Sequence, residues 1–111
     1  MVSVDVVLDA AGLLKNCTIS GHAGAGPRNG DLVCAAISVL SRTALRTLSK
    51  TDGVTARGKA PQRGELFMEI EYTEACTGQV AGITAFLLEG FVSISEEFPE
   101  HCSVRIQRER R

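Results

Sequence analysis

The stretch Gly21-His-Ala-Gly-Ala-Gly-Pro-Arg-Asn-Gly-Asp-Leu-Val-Cys-Ala-Ala-Ile-Ser-Val-Leu40 decides how this chain folds. Residues up to Gly21 read as the end of a strand, and those from Asp31 onward read as a helix. The apolar residues Val33, Ala36, Ile37, Leu40, Ala44 and Leu48 recur at three- and four-residue steps. At roughly 100° per residue they form one stripe, with Arg42, Arg46 and Lys50 on the opposite, solvated side. Cys34 falls about 90° from the centre of the stripe, on a flank it shares with Asp31 and Ser38. A boundary position is therefore expected for Cys34. Asp31 suits the N-cap and Asn29 suits it less well.

Capping at Asp31 would put Cys34 in the first helical turn, beside unpaired backbone N–H groups. Such surroundings favour thiolate over thiol, as does a neighbouring imidazolium. His22 closes the preceding strand, and a loop holding Gly24, Gly26 and Gly30 separates it from Cys34. Folding that loop back could bring imidazole and thiol together as a general base with its nucleophile. A lone helical cysteine is more often a small core residue, and a lone histidine is more often structural. What raises the pair above that background is the joint arrangement of strand-end histidine, glycine loop and flanking cysteine. Asp31 either caps the helix or orients His22; doing neither, its charge would oppose thiolate formation. With three glycines and no apolar anchor beyond Ala25 and Pro27, the loop Gly24–Gly30 is expected to move and to close over a bound peptide.

Gly21-His22-Ala23, the glycine loop, and Gly30-Asp31-Leu32-Val33-Cys34-Ala35-Ala36 with Ser38 and Leu40 resemble the signature of the ribosomal-processing cysteine protease family. Phe98-Pro99 near the end is similar as well. The resemblance implies a Cys34–His22 catalytic dyad, with Gly21, Asp31 and Ser38 supporting it and Gly24, Gly26 and Gly30 in a substrate loop. It also implies a substrate, the N-terminal peptide of a large-subunit ribosomal protein that carries a short extension. A homodimer is implied too.

A length of 111 residues suits one domain over residues 1–111, and 44% hydrophobic with 23% charged residues describes an ordinary globular chain. A net charge of −1 gives no general attraction for nucleic acid or an anionic membrane. The cluster Arg105, Arg108, Arg110 and Arg111 reads as a solvated tail. Cys17, Cys34, Cys76 and Cys102 show no zinc or redox spacing, so neither metal nor other cofactor is expected. The first residues lack a basic region followed by an apolar one, so the expectation is a cytoplasmic protein with reduced thiols. No continuous apolar run reaches the roughly 18–20 residues of a membrane span.

Around the central stretch, Val2–Asp9 and Leu13–Ser20 read as a hairpin about the turn Ala10–Gly12. A weak strand at Val54–Gly58, a turn at Pro61–Gly64 and a clearly alternating strand at Glu65–Tyr72 follow the first helix. Phe67 sits among the acidic residues of that last strand with no evident reason. Thr73 or Thr77 could cap a second helix reaching about Phe98, and Ser103–Gln107 completes the pattern. The stripe of the second helix is Val80, Ile83, Leu87, Phe91, Ile94 and Phe98, widened by Phe86, Leu88 and Val92. Such width suggests a dimer surface, and Gly78, Gly82 and Gly90 suggest close packing. The expected fold is α+β, with two helices packed on a mixed, mainly antiparallel sheet of four or five strands.

Three functions compete on these residues. A cysteine peptidase uses His22 and Cys34, with the oxyanion held by N–H groups at the helix start, that of Cys34 included. An anion-binding module would use the glycine loop, but the loop lacks a Lys-Ser/Thr ending and carries Asp31 where phosphate charge would sit. A non-enzymatic ribosome-assembly scaffold would leave Cys34 structural. The first has the most residues behind it.

Overall fold

A short turn returns a strand antiparallel to its predecessor, whereas a helical crossover allows a parallel return. Both connections occur here. The computed structural model describes residues 1–21, 28–61 and 64–110, and of residues 28–31 the backbone alone. The elements are β1 (Val2–Leu8), β2 (Leu14–Ser20), α1 (Arg28–Ser49), β3 (Val54–Lys59), β4 (Leu66–Tyr72), a 3₁₀ turn (Glu74–Cys76), α2 (Thr77–Glu97) and β5 (Cys102–Arg108). The pairs β1–β2, β2–β4 and β3–β4 are antiparallel, and β5 joins β1 in parallel. The sheet order is β3-β4-β2-β1-β5. This is the expected α+β architecture, with five strands. The pairing directions gather the ends of β2 and β3 and the starts of β1, β4 and β5 at one end of the sheet. At that same end α1 begins and α2 finishes.

Alternation decides which face the helices cover. Val2, Val4 and Val6 of β1, Met68 and Ile70 of β4, and Cys102 of β5 are buried, while Asp5, Thr18, Glu69 and Glu71 on the other face are exposed. In β2 a register shift opposite Val7 and Leu8 pairs Leu8 with Leu14 and Val6 with Cys17. Leu14 and Cys17 lie an odd number of residues apart, and the bulge lets both reach the core. The Leu14 amide is instead satisfied from α2, by the Thr84 hydroxyl oxygen at 3.0 Å. Thr84 is only 4% exposed, a buried polar residue in the middle of the apolar stripe.

On α1 the buried line is Val33, Ile37, Ser41, Ala44 and Leu48, and Ala36 and Leu40 are half-buried. Ser41 joins the stripe because its hydroxyl donates back to the Ile37 carbonyl at 2.7 Å. On α2 the buried line is Val80, Thr84, Leu87 and Phe91. Phe86 was expected to widen that stripe, but it is 74% exposed. A Cβ on Gly90 would come within 2.8 Å of Leu40 Cδ1, so Gly90 does serve close packing, between the two helices. Gly78 and Gly82 do not; both face open space. Thr73 takes the N-cap position of the 3₁₀ turn that leads into α2, in extended conformation but without a side-chain cap bond, while the Thr77 hydroxyl, inside α2, donates to the Glu74 carbonyl. The Arg108 guanidinium is no solvated tail either, because it donates to the Ala10 carbonyl and ties β5 to the β1–β2 turn.

By length and average composition Leu32–Ser49 and Glu74–Glu97 could each cross a bilayer, although polar residues interrupt both segments. In this fold each helix lays its apolar line on the sheet instead.

Asp9 fixes the β1–β2 turn. One carboxylate oxygen accepts from the Ala11 and Leu13 amides, and the other accepts from the Tyr72 hydroxyl on β4. Burial works to raise the Asp9 carboxyl, but the bonds from Tyr72 and the turn amides outweigh it and hold the group below its ordinary value of 3.8. The bond to Asp9, then burial, push Tyr72 up to about 12. A carboxyl depressed in the folded state stabilises above its unfolded value and loses that contribution as pH falls through the folded one. Tyr72→Phe should therefore lower the urea midpoint at neutral pH, and its deficit should shrink below about pH 4. A deficit of equal size at neutral and acidic pH would contradict this linkage.

Candidate active site

The end of the sheet where β2 stops and α1 starts holds the residues singled out by the sequence. Gly21, just past β2, has φ +78°, which favours glycine. A Cβ there would also stand 2.6 Å from the Met1 carbonyl oxygen, so backbone meets backbone. Gly21 thus fixes how the chain leaves the sheet, one residue before His22. No sequence signal pointed to Met1, because the contact depends on β1 and β2 lying side by side.

His22, Gly24 and Gly26, and the expected loop closure with them, lie outside the described residues. Gly30 and Asp31 do not belong to the loop or its cap. The helix begins at Arg28, so Gly30 is its third residue and Asp31 its fourth. Asp31 is therefore not the N-cap, and Asn29 is helical as well. Cys34 moves with this correction from the first turn to the seventh helical position. The unpaired N–H groups and the dipole's positive end lie a turn earlier. Regular helical bonding directs the Cys34 amide to the Gly30 carbonyl, which removes it as the oxyanion donor expected from the sequence. The boundary position of Cys34 does hold. It is half-buried and packs against the edge of the core, with Ser38 half-buried one turn on.

The four cysteines differ sharply in surroundings, and none forms a disulfide. Cys17 is wholly buried in the core, and that burial, aided by the Asp5 charge, pushes its thiol up to about 12. Burial raises Cys102 as well. Cys76 is buried and donates to the Asp52 carbonyl at 2.8 Å, pinning the α1–β3 connection to the 3₁₀ turn. Only Cys34 combines partial exposure with a place at the loop end of the sheet.

A second close approach sets the position of α1 over the sheet edge. A Cβ on Gly58 of β3 would collide with the Leu45 Cδ2 methyl. Gly58 closes the weak strand expected from the sequence, which gave no sign of what it would meet.

A family model described as cysteine protease Prp matches residues 1–103. No curated protein matches the chain. Among solved structures, SMU.848 from Streptococcus mutans is 25% identical with a TM-score of 0.81, over 98% of this chain and 96% of that one. The essential ribosomal processing protease Prp from S. aureus, in complex with a substrate peptide, is 20% identical with a TM-score of 0.79, over 96% of this chain and 100% of that one. The same S. aureus protease with a covalently linked product peptide gives 18% identity and the same TM-score of 0.79, with the same coverage. The likeness to the S. aureus protease shows a shared fold.

Iodoacetamide at near-neutral pH should label Cys34 well ahead of Cys17, Cys76 and Cys102, read by peptide mass mapping. Equal labelling of all four would remove the chemical distinction drawn between them.

Proposed function

The chain belongs to the cysteine protease Prp family, and from that premise we propose that it removes a short N-terminal extension from a large-subunit ribosomal protein, using Cys34 and His22 as a dyad. The family match over residues 1–103 carries the reading. It is supported by the half-buried place of Cys34 on α1, at the end of the sheet where β2 stops.

In this mechanism His22 takes the proton of Cys34, and the thiolate attacks the peptide carbonyl. His22 then protonates the leaving amine, and water hydrolyses the thioester. Ser38 lies on the same flank as Cys34, and both it and Asp31 support the dyad rather than enter the bond changes. Activation of the thiol falls to His22, since α1 begins too early for its N-terminus to do so. The cytoplasm is the compartment that suits four cysteines outside any disulfide.

Cys34→Ala and His22→Ala should each abolish processing while leaving thermal unfolding within about 1 kcal/mol of wild type. The intact mass of the ribosomal protein from cells carrying each variant reads this directly. Retention of the extension in wild-type and variant cells alike would sink the substrate assignment. Loss of the extension in Cys34→Ala cells would sink the nucleophile.

A homodimer accompanies this reading. Leu32, Val39 and Phe86 are 54%, 64% and 74% exposed on the outer side of α1 and α2, where the sheet cannot cover them. Burying such side chains against a second copy contributes about 1.5–3 kcal/mol each. Sedimentation at micromolar concentration should show twice the 11.8 kDa chain mass, and Val39→Asp with Phe86→Asp should return it to one. A wild-type monomer would count against the dimer.

A further inference from the structure

The helix layer keeps its charges in two separate rows. From Leu32 to Ser49, α1 has Arg42 and Arg46 and no acidic residue, whereas α2 has Glu89, Glu96 and Glu97 and no basic one. All five charged residues are exposed. At roughly 100° per residue, Val39, Arg42 and Arg46 of α1 and Phe86, Glu89 and Glu96 of α2 point within about 50° of directly away from the buried lines. They therefore share the outer surface, opposite the sheet. Within one copy the two rows do not answer each other. Among the described residues the ion pairs join Lys15 to Glu109 and Arg57 to Glu69 and leave both helices out.

The packing of Leu40 over Gly90 sets the stagger of the two antiparallel helices. Counting about 1.5 Å per residue from that contact, Arg42 is about level with Glu89 and Val39 with Phe91, whose neighbour Gly90 carries no side chain. Phe86 is level with position 44, within about 3 Å of Arg46 along the axis.

A surface of two side-by-side antiparallel helices can meet a copy of itself about a two-fold axis in two ways. An axis across the helices sets α1 on α1 and α2 on α2, so arginines oppose arginines and glutamates oppose glutamates. An axis along the helices sets α1 on α2 of the other copy and leaves every level unchanged. Opposed like charges cost binding, and complementary ones fix the register.

We propose that two copies pair through their helix layers about an axis along the helices, with α1 of each on α2 of the other and Arg42 opposite the partner subunit's Glu89. The pairing rests on the reading of the protein as a homodimer and gives that dimer its geometry. Val39 and Phe86 form its apolar centre, and the Arg46 guanidinium reaches the ring of the partner subunit's Phe86. With this axis both α1 helices run the same way. The two Cys34 residues then lie at one end of the dimer.

Sedimentation equilibrium of the full chain at low salt reads the dimer Kd. Arg42→Glu and Glu89→Arg should each weaken dimerisation about tenfold or more. An equimolar mixture of the two variants should return to within about threefold of the wild-type Kd, because each contact between positions 42 and 89 in the mixed dimer again joins opposite charges. Each variant should keep the wild-type circular dichroism spectrum, which separates lost pairing from lost fold. Single variants that dimerise like wild type, or a mixture that stays monomeric, overturn the pairing. Tighter dimerisation by Arg42→Ala overturns it too, since that would mean α1 set against α1. A monomeric wild type removes the homodimer reading itself, whereas a wild-type dimer indifferent to these charges removes this arrangement alone.

Discussion

The seating of α1 on the sheet is the contact from which the rest of the molecule takes its positions. Val33, Ile37 and Leu48 lose essentially all their exposure on one line of the helix. Fully burying side chains of this size is worth about 1.5–3 kcal/mol each, against a total stability of about 5–15 kcal/mol for a typical domain. The helix cannot rotate about its axis without giving up that line. Cys34 and Ser38 are therefore held on a flank, and Leu45 is held over Gly58. A side chain at position 58 would have to displace the Leu45 methyl that lies over it.

Polar groups inside this core are answered one by one, and they show how the layers are tied. The bulge in β2 frees the Leu14 amide, and Thr84 on α2 accepts its proton. Cys76 reaches the Asp52 carbonyl, and Asp9 gathers two turn amides and the Tyr72 hydroxyl. Among the described side chains no buried nitrogen or oxygen lacks a partner. The Thr84, Cys76 and Tyr72 bonds join segments far apart in the chain, and removing Thr84 would leave the buried Leu14 amide unsatisfied at a cost of about 1–3 kcal/mol. The far end of the sheet is stiffened this way. At the end that holds Gly21 and Cys34, the described residues show a close backbone approach of Gly21 to Met1.

For a cysteine peptidase this division has a chemical consequence. A nucleophile deep in the core would share the fate of Cys17, whose thiol is pushed out of the physiological range by burial. A nucleophile on the outer face would lack the walls that orient a peptide. The flank of α1 lies between these extremes, next to a strand edge and at the loop end of the sheet. The early start of α1 at Arg28 takes the helix dipole out of the account and leaves the chemistry to side chains.

The sequence by itself determined the elements, the fold class and the boundary place of Cys34. Each rests on local periodicity: period two in Glu65–Tyr72, and steps of three and four from Val33 to Leu48. The motif around Gly21, Cys34 and Ser38 likewise carried the family. The start of α1 was misplaced at Asp31, because a capping residue type also fits inside a first turn. Thr84 and Ser41 escaped notice because a polar residue in an apolar stripe has no local reason to be buried. The reason for Thr84 is an amide on a distant strand. The φ of Gly21, the contact of Gly58 with Leu45 and the use of Gly90 against Leu40 were also left to the tertiary structure. Glycine in a sequence marks only the absence of a side chain, and what fills that space comes from another part of the chain.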